Sequence, residues 1–264
     1  MNRLEQIKFL NARLLDEMPD YKPRAARFGE DPDAQRRLLR SLMNLRRPGP
    51  LSRAFLEVQD ALLSAEREEK GIVELAQLPV TKDPRLYLWK GDITRLKVDA
   101  IVNAANAAML GCFVPCHSCI DNVIHSAAGL QLREECHEIM ARARQPHEAP
   151  TGSAIITGAY NLPARHVIHT VGPIIQREVS PRDKELLAAC YRSCLSLAED
   201  NGLNSIAFCC VSTGVYRFPK ALAAEIAVST VKAVLDSGEK RMKVIFNVFT
   251  EEDDRLYRNL LCAD

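Results

Sequence analysis

Residues 86–106 read LYLWKGDITRLKVDAIVNAAN, and this stretch decides the fold. Leu86-Tyr87-Leu88-Trp89 is a short apolar and aromatic run closed by Gly91-Asp92-Ile93-Thr94, which predicts a strand entering a turn. Ala100-Ile101-Val102-Asn103 is a second apolar run without alternation, the pattern of a strand buried on both faces. Further along, residues 120–140 read as a helix, 154–157 and 166–170 as strands, and 184–200 as a helix stopped by Asn201-Gly202. Residues 205–211 and 244–248 read as strands, 219–235 and 253–261 as helices. Apolar strands alternating with helices imply an α/β fold with a largely parallel sheet covered on both faces. In such sheets ligands sit beyond the carboxyl ends of the strands, so residues that follow strands are the candidates for chemistry.

Upstream the pattern is helical. Ile7, Leu10, Leu14 and Leu15 form one apolar stripe, and Leu38, Leu39, Leu42, Met43 and Leu45 a second, which Arg46-Arg47-Pro48-Gly49-Pro50 breaks. Residues 51–69 are helical again, with Leu56, Val58, Leu62 and Leu63 on the expected buried side. The pairs Arg36-Arg37 and Arg46-Arg47 read as solvated helix faces, and no chemistry is visible here. The expected division is a helical N-terminal extension over 1–80 and an α/β domain over 81–264.

Composition excludes several classes. The 264 residues are 47% hydrophobic and 26% charged, enough to build a core and too apolar for disorder. Lys+Arg 35 against Asp+Glu 34 leaves a net charge of +1, which argues against nucleic-acid binding through phosphate contacts. No run is long and apolar enough to cross a bilayer, and no secretion signal opens the chain, so a cytoplasmic protein with no membrane partner is expected. Nine cysteines without a secretion signal read as reduced thiols. Cys190, Cys194, Cys209 and Cys210 look like small core hydrophobes.

The cluster Cys112, Cys116, His117 and Cys119 is different. Thiolate and imidazole within one loop suit zinc, and Cys116 would complete a closed four-ligand site if it joined the other three. His125 and His137 read as ordinary helix residues. Asp92, directly after a strand, suits either an exocyclic amine or an Asx turn. Asn103 and Asn106 offer amides for ribose hydroxyls or for turn chemistry. Ser212-Thr213-Gly214-Val215-Tyr216 lies between a strand and a helix, where exposed amides form an anion nest and Gly214 admits a close phosphate. Asp121, at the start of a helix, suits the macrodipole as well as a site.

Together, Gly91-Asp92-Ile93-Thr94 followed by Val98-Asp99-Ala100-Ile101-Val102-Asn103-Ala104-Ala105-Asn106 resembles the opening of the macrodomain family. Ser212-Thr213-Gly214-Val215-Tyr216-Arg217-Phe218-Pro219 resembles that family's phosphate loop. In place of the family's glycine-rich loop, residues 111–125 read GCFVPCHSCIDNVIH, which is similar to the zinc-containing microbial macrodomains, a subclass of protein-ADP-ribose hydrolases. The helical N-terminal part is similar to the extension of that subclass.

The resemblance implies a macrodomain that removes ADP-ribose hydrolytically from mono-ADP-ribosylated protein side chains. It implies Zn2+ on Cys112, His117 and Cys119, with a fourth position for a ribose hydroxyl or water. It places Asp92 and Ile93 on adenine, with Phe249 nearby, and Ser212, Thr213, Gly214, Val215 and Tyr216 on the diphosphate. Asn106 and Asp121 fall at the distal ribose as the expected catalytic residues, with Asn103 bracing the backbone. ADP-ribose and an ADP-ribosylated protein are the implied ligands, a sirtuin-like ADP-ribosyltransferase and a lipoyl-carrier protein the implied partners. A module that binds ADP-ribose without chemistry is the alternative, since fold does not dictate function.

Overall fold

The computed structural model describes residues 1–143, 148–238 and 242–262. The chain begins with four helices, α1 (Arg3–Glu17), α2 (Lys22–Ala25), α3 (Pro32–Leu45) and α4 (Arg53–Lys70). Then follow β1 (Val73–Glu74), β2 (Leu86–Lys90), β3 (Leu96–Lys97), β4 (Ala100–Ala105), α5 (Ile120–Ala128), α6 (Leu130–Arg142), β5 (Ala154–Gly158), β6 (His166–Val171), α7 (Pro181–Asp200), β7 (Ser205–Phe208), α8 (Lys220–Ser237), β8 (Lys243–Val248) and α9 (Glu251–Leu261).

Six strands form one sheet in the order β2-β8-β7-β4-β6-β5, and β5 alone runs antiparallel, at the edge. The parallel strands are mainly apolar because both faces are covered, with Asn103, His169, Thr170 and Asn247 among the buried polar exceptions. Ala100, Ile101, Val102 and Asn103 of β4 are all buried. Helices α7, α8 and α9 pack side by side over one face, and α5 and α6 cover the other. A short parallel pair, β1 with β3, ties the end of the helical region to the domain. The alternating-strand reading and the helical N-terminal region both agree with this architecture.

The four N-terminal helices close on their own core of Leu10, Leu14, Leu39, Leu42 and Leu62, all fully buried. Leu130 of α6 completes that core, so the helical layer is seated on the sheet domain. Leu62 and Leu63 are buried as expected, but Leu56 and Val58 are only half-buried, and Phe55 and Gln59 take the inner face of α4. Side-chain caps start the helices: Asn2 accepts from the Glu5 amide, Asp31 from Ala34 and Ser52 from Phe55.

Three local readings need correction. The helix expected over 120–140 is two helices, because Gly129 adopts φ +102, outside the helical region. The strand expected over 205–211 ends at Phe208. The arginine pairs are not simply solvated. Arg46 is buried, pairing with Glu17 at 2.6 Å and Glu134 at 3.0 Å, and Arg36 grips Glu66 through two bonds of 2.6 and 2.8 Å. Their acidic partners come from other helices, so no reading of local sequence reveals them.

Candidate functional site

The carboxyl ends of β2, β4, β7 and β8 open onto a cavity of about 850 Å3, a size suited to a nucleotide-scale ligand. Asp92, Ile93, Asn106, Cys112, His117, Cys119, Asp121, Ser212, Thr213, Gly214, Val215 and Tyr216 all line it. Parallel pairing places these loops at one end of the sheet although they are more than a hundred residues apart in sequence. Asn103 lies beneath the cavity and is wholly buried. Phe249 stands at the rim, 77% exposed, and is therefore not a core residue.

At one end of the cavity Asp92 begins a short 3-10 turn. Its Oδ1 accepts from the Thr94 amide at 3.0 Å and from the Thr94 hydroxyl at 2.7 Å, which is the helix-cap arrangement. Its Oδ2 faces the Lys70 ammonium at 3.8 Å. Asn247 donates to the carbonyls of Trp89 and Gly91 and so holds the end of β2 in place.

The 212–216 loop is shaped by backbone contacts. Thr213 turns back on the Cys210 carbonyl through its hydroxyl at 2.9 Å, and Phe218 donates to the Ser212 carbonyl at 3.0 Å. Ser212 sits at φ +66 with its hydroxyl buried and unpartnered, against Gly172. A Cβ on Gly172 would come within 1.9 Å of that hydroxyl, so any larger residue there forces Ser212 to move. Gly214 differs. A Cβ on it would meet no protein atom within 4 Å.

At the other end Asp121 is buried and holds two amides. Asn103 donates to its Oδ1 at 2.8 Å and Asn106 to its Oδ2 at 3.2 Å. Burial pushes its carboxyl up to about 6, against the Asn103 bond and the Arg133 charge, which pull it down. Asn106 is itself fixed by donating to the Gly111 carbonyl at 3.0 Å and accepting from the Ala108 amide at 3.1 Å.

Beside Asp121, the donor atoms of Cys112, His117 and Cys119 all lie within 4.8 Å of one another. Cys112 Sγ stands 3.6 Å from His117 Nδ1. Zinc–sulfur and zinc–nitrogen bonds of about 2.3 and 2.0 Å in tetrahedral geometry put sulfur and nitrogen roughly 3.5 Å apart, so the donor set fits that ion. Burial holds the Cys119 thiol above its ordinary range, with Cys112 adding to the shift. Cys116 is turned away. Its Sγ meets Ser41 Oγ at 3.3 Å and the Arg37 carbonyl at 3.5 Å, both on α3. His125 is buried on α5, where burial lowers its pKa well below the ordinary value.

The lining residues that escaped the sequence reading include Arg40 of α3, Lys70 at the end of α4, Gly172, Asn247 and Asp253, and Cys209 and Cys210, read as core, also line the cavity. The usable signal was Ser41 and Asn44, polar residues set among the apolar positions of α3.

A macro domain profile matches residues 102–227. A protein from Treponema medium named protein-ADP-ribose hydrolase is 52% identical over 264 residues, covering 99% of this chain and 100% of that one. A Trypanosoma brucei macrodomain solved in complex with ADP-ribose is 34% identical at a TM-score of 0.64, covering 83% of this chain and 94% of that one. An Oceanobacillus iheyensis macrodomain solved with ADP is 40% identical at a TM-score of 0.61, covering 66% and 88%. A relative this similar along its whole length, together with the sheet order and the cleft beyond its strand ends, leads to one conclusion: the chain belongs to the macro domain family.

Proposed function

We propose that this protein hydrolyses the bond between ADP-ribose and a mono-ADP-ribosylated protein side chain. The observation that carries the reading is the convergence of a buried carboxylate, Asp121, with the Cys112–His117–Cys119 donor set at one end of the cavity. The name of the Treponema medium relative supports the reaction class.

In this reading Asp92 and the Ile93 amide take the adenine, with Asp92 Oδ2 free of the turn that occupies Oδ1. The amides of the 212–216 loop take the diphosphate. Clearance over Gly214, which no protein packing demands, lets a phosphate approach the backbone. Asn106, held in place by Gly111 and Ala108, orients the distal ribose. Asp121 is the proton acceptor. Burial pushes its carboxyl up to about 6, which leaves it ionised near neutral pH yet basic enough to take a proton from water or a ribose hydroxyl. Asn103 and Asn106 stop it from rotating away. Cys112, His117 and Cys119 would hold Zn2+, which when bound supplies Lewis-acid polarisation and a fixed positive charge at the ribose end. Cys116, directed at α3, stays outside that donor set.

The same reading keeps the chain in the cytoplasm, in keeping with nine free cysteines, and takes a sirtuin-like ADP-ribosyltransferase and a lipoyl-carrier protein as partners. The test is release of label from mono-ADP-ribosylated protein. The intact chain is expected to remove it and Asp121→Ala to leave it in place. Tight ADP-ribose binding with the label retained by the intact chain would replace the hydrolase with a binding module.

A further inference from the structure

The 112–119 loop carries three donor atoms but lies between β4 and α5, outside any helix or strand. A loop of this kind holds a fixed donor geometry only if its backbone polar groups are tied elsewhere. Helix α3, from the region in which the sequence shows no chemistry, supplies the ties. Arg40 Nη2 donates to the His117 carbonyl at 2.9 Å and to Asn122 Oδ1 at 2.8 Å. Asn122, wholly buried, passes the constraint on by donating to the Val114 carbonyl at 3.0 Å. Asn44 Oδ1 accepts from the Cys116 amide at 2.9 Å. Cys116 sits at φ +53, a left-handed conformation that a cysteine adopts only when its surroundings impose it.

We propose that Arg40 and Asn44 are positioning residues: α3 sets the backbone of the loop so that Cys112, His117 and Cys119 converge on one cation. This rests on the zinc reading above. The guanidinium suits the task because its rigid planar fork holds Asn122 Oδ1 through Nε and Nη2 while Nη2 also reaches the His117 carbonyl, a fixed geometry that a lysine ammonium on its flexible stem does not reproduce. The helical region is thereby part of the site rather than a passive layer on the domain. Partners that orient metal ligands in this way typically change affinity 10–100-fold when removed.

The experiment uses the full-length chain. Zinc affinity is measured by competition with a chromophoric chelator, and the visible absorption of the cobalt-substituted protein reports donor geometry independently of turnover. Arg40→Ala and Asn44→Ala are expected to lose 10–100-fold in zinc affinity and to alter the cobalt–thiolate bands. Arg40→Lys is expected to recover only part of the loss, and it decides the matter if Arg40→Ala does not fold. Arg36→Ala, which cuts the α3–α4 ion pair without touching the loop, is expected to bind zinc as the wild type does. Folded Arg40 and Asn44 variants with wild-type affinity and spectrum would reduce α3 to packing and overturn the inference while the zinc reading stands. A wild-type chain that takes up no zinc removes the metal reading, and this inference with it.

Discussion

Asn103 donates its amide to Oδ1 of Asp121 across 2.8 Å, joining the middle of β4 to the start of α5. The same amide reaches His169 Nδ1 on β6 at 3.1 Å. One buried side chain thus couples the sheet to the acid that faces the cavity. Asn103, expected to brace the backbone, instead holds two other side chains through its own, Asp121 and His169.

Asp121→Asn should abolish most turnover. The substituted amide keeps the shape but sets an NH2 against one of its two amide donors and removes the base. A loss of about 10²–10⁴-fold in label release is expected. ADP-ribose affinity by calorimetry should change much less. Equal losses in both would assign Asp121 to binding alone.

Asn103→Ala, beneath the cavity, should cost stability and activity together. It strips a donor from Asp121 and from His169, two wholly buried groups. About 1–3 kcal/mol of unfolding free energy is expected, read from urea midpoints, with turnover falling although the altered residue does not line the cavity.

Acid should destabilise the fold through the buried histidines. Burial depresses His169 to about 3 and His125 well below its ordinary 6.5. The unfolded chain takes up these protons near 6.5 and the native chain does not, so stability falls as pH drops below that value. Asp121 opposes this. Its raised pKa of about 6, against an ordinary 3.8, lets the native state bind a proton first and gain between those values. Two depressed histidines against one raised carboxylate leave a net fall in stability as the pH drops below about 6. Urea unfolding in the presence of a chelator measures the slope, and His169→Asn should flatten it.

Metal content should separate the cysteines. Cys119→Ala is expected to lose bound zinc on dialysis, because it removes one of three clustered donors. Cys116→Ala is expected to keep it, because that thiol faces Ser41 and Arg37. Elemental analysis of both variants checks this, and zinc loss from Cys116→Ala would make the site a four-ligand one.

Gly172→Ala should weaken ADP-ribose binding from outside the loop it disturbs. The added methyl meets the buried Ser212 hydroxyl at 1.9 Å and Val211 Cγ1 at 3.0 Å, so Ser212 must shift. Overpacking of this kind costs about 1–3 kcal/mol, and if the distortion falls on the ligand-facing backbone, affinity drops roughly tenfold. An unchanged dissociation constant would show that the 212–216 loop tolerates the shift.

The α/β architecture and the members of the cleft were readable from short runs of residues. Buried parallel strands are mainly apolar, as Ala100-Ile101-Val102 is, and residues that follow such strands gather at one end of the sheet. Residue chemistry alone left Asp92, Asn106, Asp121 and the 212–216 loop open between site and turn or cap roles; the family resemblance chose the site, and all of them line the cavity. Other features depend on partners far along the chain. Whether Arg46 is solvated depends on Glu17 and Glu134. Which way Cys116 points depends on Ser41 and Arg37, and the backbone of the 112–119 loop is tied to Arg40 and Asn44, some 70–80 residues upstream. Apolar periodicity continues across Gly129, so the run reads as one helix, although its backbone at φ +102 separates α5 from α6. Periodicity is a local property of a chain, whereas hydrogen-bond partnership is decided by which surfaces meet once the chain has folded.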